Sequence, residues 1–155
     1  HYISKYAPAL ASLRALEYET LLRYKELGIT YHNKIWSFAN GWALAHGDEG
    51  NLITTSGGTA LSLAKKTGMS IVCGHTHRQG IQHFNTGVNG RISKYLYGVE
   101  VGHLMDLNKA DYLSTGSANW QQGIGILYIR KGAVTPVTVP IFGRSFTVEG
   151  QTYSW

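Results

Sequence analysis

The segment Met69-Ser70-Ile71-Val72-Cys73-Gly74-His75-Thr76-His77-Arg78 constrains this chain more than any other. A short apolar run, β-branched at Ile71 and Val72, stops abruptly at a glycine and two histidines spaced one residue apart. Such a run reads as a buried strand whose carboxyl end passes into a loop. In extended geometry side chains alternate, so His75 and His77 are expected on the same side. Imidazole is the commonest protein ligand for zinc and related metals. Gly74, lacking a Cβ, would let the backbone approach an ion closely. Taken alone, the His-x-His spacing is equally compatible with two ordinary loop histidines.

A second apolar run repeats the device. Residues 34–38 and 42–45 are two short strand candidates joined through Asn40-Gly41, a strong hairpin signal. The second ends in Ala45-His46-Gly47-Asp48, so it too delivers a histidine to a glycine-containing loop. After a loop at 47–56, Ser56 or Thr59 can cap a helix over 57–67 that Gly68 terminates. Strand, helix and strand over 42–73 form one crossover unit, which makes the two strands parallel neighbours. Ligands of open α/β sheets gather at the carboxyl ends of strands, where His46, His75 and His77 should converge.

The remaining chain fills in around this unit. Leu10, Leu13, Leu16, Leu21, Leu22 and Leu27 recur at near-helical spacing between Pro8 and Gly28, which predicts a helix over 9–28, possible in two pieces. Beyond Gly80 the pattern is all strand, over 80–84, 92–101, 125–130, 134–141 and 146–148. Asn89-Gly90, Lys131-Gly132 and Glu149-Gly150 supply the turns. The expected fold class is α/β, a mixed β-sandwich flanked by helices, built as a single domain over 1–155. No P-loop is present, and Gly123-Ile124-Gly125 lacks the third glycine and the helix of a dinucleotide fingerprint.

Composition excludes several classes. With 43% hydrophobic and 15% charged residues, the chain is not a disordered polar segment. No apolar run approaches the ~20 residues of a membrane span, and no secretory signal pattern opens it. The single cysteine, Cys73, excludes an intramolecular disulfide framework and a multi-cysteine zinc site. Its apolar surroundings mark a buried structural thiol, and a reducing, cytoplasmic location is expected. The net charge of +5 is compatible with a polyanionic partner, but it is not gathered into a basic run.

The ordered set of His46-Gly47, a crossover, and Gly74-His75-Thr76-His77 resembles the carboxyl-terminal half of the calcineurin-like metallophosphoesterases, most closely the small phage and bacterial type. The tail, with Asn119-Trp120-Gln121-Gln122-Gly123 and a later Phe146-Thr147-Val148-Glu149-Gly150-Gln151-Thr152-Tyr153, resembles them loosely. The resemblance implies a partial metallophosphoesterase fold and two divalent ions (Mn, Fe, Zn, Ni or Mg). It also implies that His46 and His75 ligate one metal and His77 the other. The implied reaction is hydrolysis of phosphomonoesters or phosphodiesters, nucleic acids and nucleotides included, by metal-activated water.

The family's Asp-x-His, Gly-Asp-x-x-Asp and Gly-Asn-His-Asp/Glu motifs are absent from these residues. An amino-terminal portion of the same fold, covalent or separate, is therefore the expected partner, and the 155 residues alone are expected to be inactive. No catalytic general-acid histidine is identified; His1 is followed by Tyr2, where the family has Asp or Glu. Asp48, Glu49 and Asp106 match no family ligand and read as turn or surface residues. Arg78 is the candidate contact for a substrate phosphate. His32 and His83 read as surface or packed residues; His103, after Gly102, is grouped with them, a loop near the site being its other placement. Trp120 reads as a core or hairpin aromatic, with a role as pocket cap or base platform the alternative. From another functional class, the alternative for the whole chain is a non-catalytic metal- or nucleic-acid-binding β-rich module.

Overall fold

The four hairpins that join consecutive paired strands turn at an Xaa-Gly pair whose glycine is left-handed, at φ 72 for Gly41, 76 for Gly90, 82 for Gly132 and 78 for Gly150. In three of them the preceding residue, Asn89, Lys131 or Glu149, is left-handed too. That is the turn whose twist matches a right-handed strand pair. The structure, a computed structural model, describes residues 17–107 and 119–155. The chain divides into two compact units, residues 1–34 and 35–155, and no helix among the described residues is long and apolar enough to cross a membrane.

In the first unit, α1 (Tyr18–Leu21) is a single helical turn. The helix expected over 9–28 is not continued beyond it; residues 9–16 and His1 lie outside the described residues. The Tyr24 N–H donates to the Glu19 carbonyl at 3.0 Å, one residue past α-helical spacing, and Arg23 is left-handed at φ 55. Both interrupt the i to i−4 ladder, and the chain runs on in turns to Gly28. The leucine spacing thus carried less weight than the local backbone.

The second unit is mostly β-sheet. Its strands are β1 (Trp36–Ala39), β2 (Trp42–Ala45), β3 (Ser70–Cys73), β4 (Gln79–Val88), β5 (Arg91–Val101), β6 (Gly123–Arg130), β7 (Ala133–Pro140), β8 (Ser145–Val148) and β9 (Gln151–Ser154). Its helix is α2 (Gly58–Thr67). The main sheet has the order β1-β2-β3-β5-β4, and β6–β7 and β8–β9 are two-stranded ribbons. As the crossover pattern predicts, β2 pairs in parallel with β3, Ala45 opposite Cys73. β3 in turn pairs in parallel with β5, Cys73 opposite Glu100.

Period-two alternation sorts the core into two layers. Ala43, Ile71, Cys73 and Leu96 face α2 and pack with Ala60, Leu61, Leu63 and Ala64. Trp42, Val72 and Val99 face the opposite way, onto Val134 of β7, with Tyr97, Val101 and Leu127 alongside. The result is an α/β arrangement of three layers: one helix, a mixed sheet, and a β-ribbon. All four residues of β3 are buried, as a strand covered on both faces requires. At Gly98 a Cβ would collide with the backbone of Leu61, so α2 lies directly on β5 there.

The start of α2 departs from expectation. Neither Ser56 nor Thr59 caps it; the N-cap is Gly57, left-handed at φ 77 and without a side-chain bond. The Thr59 hydroxyl accepts instead from the Ile53 N–H at 2.9 Å. The orphan helix donors go to Glu100, a fully buried side chain. Its carboxylate accepts from the Gly57 N–H at 2.9 Å and the Thr59 N–H at 3.2 Å. Charge-assisted bonds at a helix amino terminus are among the stronger ones. The other end behaves as expected: Gly68 is left-handed and its N–H bonds to the Ala64 carbonyl. We expect Glu100→Gln, which keeps the shape but turns one acceptor into a donor, to lower stability by about 1–3 kcal/mol. Urea denaturation should show this as a lower midpoint at unchanged slope. An unchanged midpoint would mean the two N–H groups have another acceptor.

Candidate functional site

Because β2, β3 and β5 are parallel, their carboxyl ends share one edge of the sheet. Each leads into a histidine: Ala45 into His46, Cys73 through Gly74 into His75, and Val101 through Gly102 into His103. The loops there are held by specific bonds. The Glu49 carboxylate accepts from the His46 N–H at 3.1 Å and the Gly47 N–H at 2.7 Å. The Gly74 N–H donates to the His46 carbonyl at 3.2 Å. Gly47 sits at φ 119, and a Cβ on it would lie 3.1 Å from the His75 Cβ and 3.4 Å from the Cys73 sulfur. Gly47 is thus the residue whose missing side chain lets the two loops meet. Gly74, assigned a close-approach role from sequence, faces open space.

The rings fall into two groups. His46 and His75, both exposed, stand with centroids 4.6 Å apart. His77 lies 5.5 Å from His103 and 4.4 Å from Trp120, which meets it edge-on. His75 and His77 therefore do not follow strand alternation. Both are left-handed, at φ 46 and 57, since the strand ends at Cys73 and the loop coils. Among the described residues, no three His, Cys, Asp or Glu side chains form a group that could hold a metal ion. The three histidines share one edge without closing into a single ligand set.

Several buried nitrogens at this edge are unsatisfied. His77 Nδ1, Arg78 Nε and His103 Nε2 are buried and have no hydrogen-bond partner among the described residues. Burial, then the nearby His75, holds the His77 pKa below its ordinary value. Burial and the neighbouring His77 do the same for His103. Neutral imidazoles are the form that ligates a transition-metal dication. His46 with His75, and His77 through its unused nitrogen, suit such an ion as partial ligands, and the described residues alone do not complete a shell.

The acidic residues keep the bland roles expected of them. Asp48 and Asp106 are exposed. Partial burial raises the Glu49 pKa, but hydrogen bonds from the Gly47, Glu49 and His46 backbones outweigh it, and the net shift is downward. His83 is a packed residue, its Nδ1 3.0 Å from the Tyr95 hydroxyl and its ring against Tyr97. His103 and Trp120 belong to the edge, which their sequence reading did not favour. One signal was present: Val101-Gly102-His103 repeats the form of Cys73-Gly74-His75.

An α/β unit with imidazoles at three parallel strand ends is what the fold defines. The chain is similar to the Gene 54 protein of Mycobacterium phage D29, 38% identical over 155 residues, and to the Gene 54 protein of Mycobacterium phage L5, 36% identical over 155. Each match covers 98% of this chain and 60% of the relative, so the chain spans about three fifths of the length of the curated relatives it matches. No family model matches the chain, and no solved structure matches it significantly.

Cys73 lies beside this edge as a buried free thiol. Burial, then Glu100 and Glu49, pushes its pKa from 9.0 up to about 12. At pH 8 the thiolate fraction is then on the order of 10⁻⁴, roughly a thousandfold below that of an unshifted thiol. Iodoacetamide should accordingly leave the native protein unlabelled at pH 8 and label it rapidly in denaturant. Fast native labelling would show that Cys73 is open to solvent.

Proposed function

We propose that the chain is the carboxyl-terminal portion of a metal-dependent phosphoesterase of the calcineurin-like class, completed by an amino-terminal portion. The observation that carries this is the shared edge: β2 and β3, joined by a crossover, run parallel and place His46 and His75 side by side. The grouping of the rings supports the division of ligands that the resemblance implies. His46 and His75 form one pair, whereas His77 stands with His103 and Trp120. A dication bound here would polarise a phosphoryl oxygen and acidify water at neutral pH.

The chain's own residues would bind and orient. Glu49 fixes the backbone of His46 and Gly47, and Gly47 keeps that loop against His75. The buried Arg78 Nε supplies a charged donor for a substrate oxygen. Trp120 covers one flank of His77 and limits access of water. Two dications ~4 Å apart repel by roughly 16 kcal/mol at an effective dielectric of about 20, so a bridging carboxylate must come from elsewhere. The curated relatives have room for it, since each extends beyond the matched 60%. A reducing interior suits this protein, with Cys73 kept as a thiol.

The test uses the full-length protein. Turnover of bis(p-nitrophenyl) phosphate should vanish with EDTA and return with Mn²⁺, and His75→Ala should lower it by about a hundredfold or more. Turnover indifferent to chelator, or none with any divalent ion, would remove the phosphoesterase assignment. Salt-sensitive DNA binding unaffected by EDTA would then favour the non-catalytic nucleic-acid-binding module.

A further inference from the structure

No basic run occurs in this chain, yet its charge is segregated. Residues 50–99 hold five of the fourteen Lys and Arg and none of the nine Asp and Glu, so the whole surplus of +5 lies in this stretch. Three of those five, Lys65, Lys66 and Lys94, gather at the carboxyl end of α2. Lys65 and Lys66 belong to its last turn, and the Lys94 ammonium reaches across from β5 to lie 3.0 Å from the position a Cβ would take on Gly68. All three are exposed, and among the described residues none is in an ion pair. Like charges gathered without a counter-ion repel one another, and an anionic partner relieves that cost.

The same face carries a cleft. It is an open cavity of about 400 Å³ between α2, β4 and the loop before the helix, walled by Ile53, Thr55, Leu61, Ser62, Lys65 and Gln82. None of its lining residues belongs to the histidine edge. Its shape is held from several sides. A Cβ on Gly58 would lie 2.7 Å from Ile53 Cγ2, so Ile53 sits directly on the helix start, and its N–H is bonded to the Thr59 hydroxyl. Gln82 Nε2 donates to the Ser56 carbonyl at 2.8 Å. The Lys65 ammonium stands 4.2 Å from the centroid of the Phe84 ring, a cation–π contact that sets the charge at the rim of the cleft. Walls fixed in advance spare a ligand part of the ordering cost of binding. Ile53 and its neighbour Leu52 are nevertheless 36% and 64% exposed, leaving an aliphatic surface open to solvent beside the lysines.

These features choose between anions. Single-stranded nucleic acid relies on free aromatic faces to stack its bases, but no aromatic residue lines this cleft, and the Lys65 ammonium occupies a face of the neighbouring Phe84 ring. Aliphatic walls suit an aliphatic side chain, and carboxylates on either side of it would meet the lysines. We propose that this face is a docking site for an acidic peptide segment of a partner protein. One aliphatic residue of that segment seats against Ile53 and Leu61, and flanking carboxylates pair with Lys65, Lys66 and Lys94. The docking site stands independently of the phosphoesterase assignment.

The experiment selects short random peptides, displayed on phage, against the full-length protein, and remakes the enriched sequences with a fluorophore for anisotropy titration. Enriched peptides should carry Asp or Glu on both sides of a Leu, Ile or Val, and their binding should weaken as NaCl is raised. The double variant Lys65→Glu, Lys66→Glu should lower affinity about tenfold or more, and Ile53→Asp should do the same. Peptide variants on the wild-type protein keep the test decisive should either protein variant fail to fold: Lys in place of the acidic residues, or Ser in place of the aliphatic one, should each weaken binding about tenfold or more. The docking site is overturned if no sequence enriches, if enriched peptides lack an acidic excess, or if affinity survives the lysine reversals. Displacement of bound peptide by an equal concentration of oligo(dT) would overturn it too, assigning the face to nucleic acid instead.

Discussion

Two backbone N–H groups at the start of α2 have no acceptor within the helix, and the carboxylate of Glu100 takes both. A helix amino terminus left bare in a buried position would be destabilised by its own orphan donors. Glu100 is the penultimate residue of β5 and pairs with Cys73, the last residue of β3. The same contact therefore fixes where α2 begins and ties that point to the strand-end edge. From there a polar chain continues outward. Gln82 Nε2 donates to the Ser56 carbonyl at 2.8 Å, the Ser56 hydroxyl to Gln121 Oε1 at 3.2 Å, and the Gln79 N–H to the same oxygen at 3.0 Å. Gln121 precedes the ribbon and follows Trp120, so the helix cap and the histidine edge belong to one connected frame.

The features legible in the sequence were those decided by neighbours along the chain. Asn89-Gly90, Lys131-Gly132 and Glu149-Gly150 announce their turns because the backbone at those positions must be left-handed. The parallel pairing of β2 and β3 was legible because a helix between two apolar runs leaves few other topologies. The convergence of His46 and His75 followed from it. By contrast, the cap on α2 comes from Glu100, 43 residues from the Gly57 donor it meets, and no local pattern at Ser56 or Thr59 can disclose that. β9 was read only as part of the tail motif, since its polar, exposed residues lack the alternation of a half-buried strand.

The histidines show a finer limit. Strand alternation placed His75 and His77 on one side, but the rule holds only while the backbone is extended. Both residues are left-handed, an uncommon state for side chains of this size. The coil sends His75 to His46 and His77 to Trp120 and His103. A two-residue spacing that looked like one site became part of two. His103 escaped because it follows a long strand whose carboxyl end could only be placed once β5 was known to pair with β3.

Unpaired buried donors are tolerated where the surrounding structure is over-determined, and this edge has such support. Gln79 Nε2 lies within 3.1–3.3 Å of the Val101, Ile124 and Val139 carbonyls, joining the main sheet to the ribbon immediately behind His77 and Arg78. Val99 and Ile71 beneath are fully buried. Each orphan donor costs about 1–3 kcal/mol in desolvation, so Arg78 Nε and His103 Nε2 together work against folding by an amount comparable to burying a large side chain. A core assembled for stability alone would match or delete such groups. Both nitrogens lie behind a glycine-tightened loop and an aromatic wall, where the surrounding bonds and packing hold them in place.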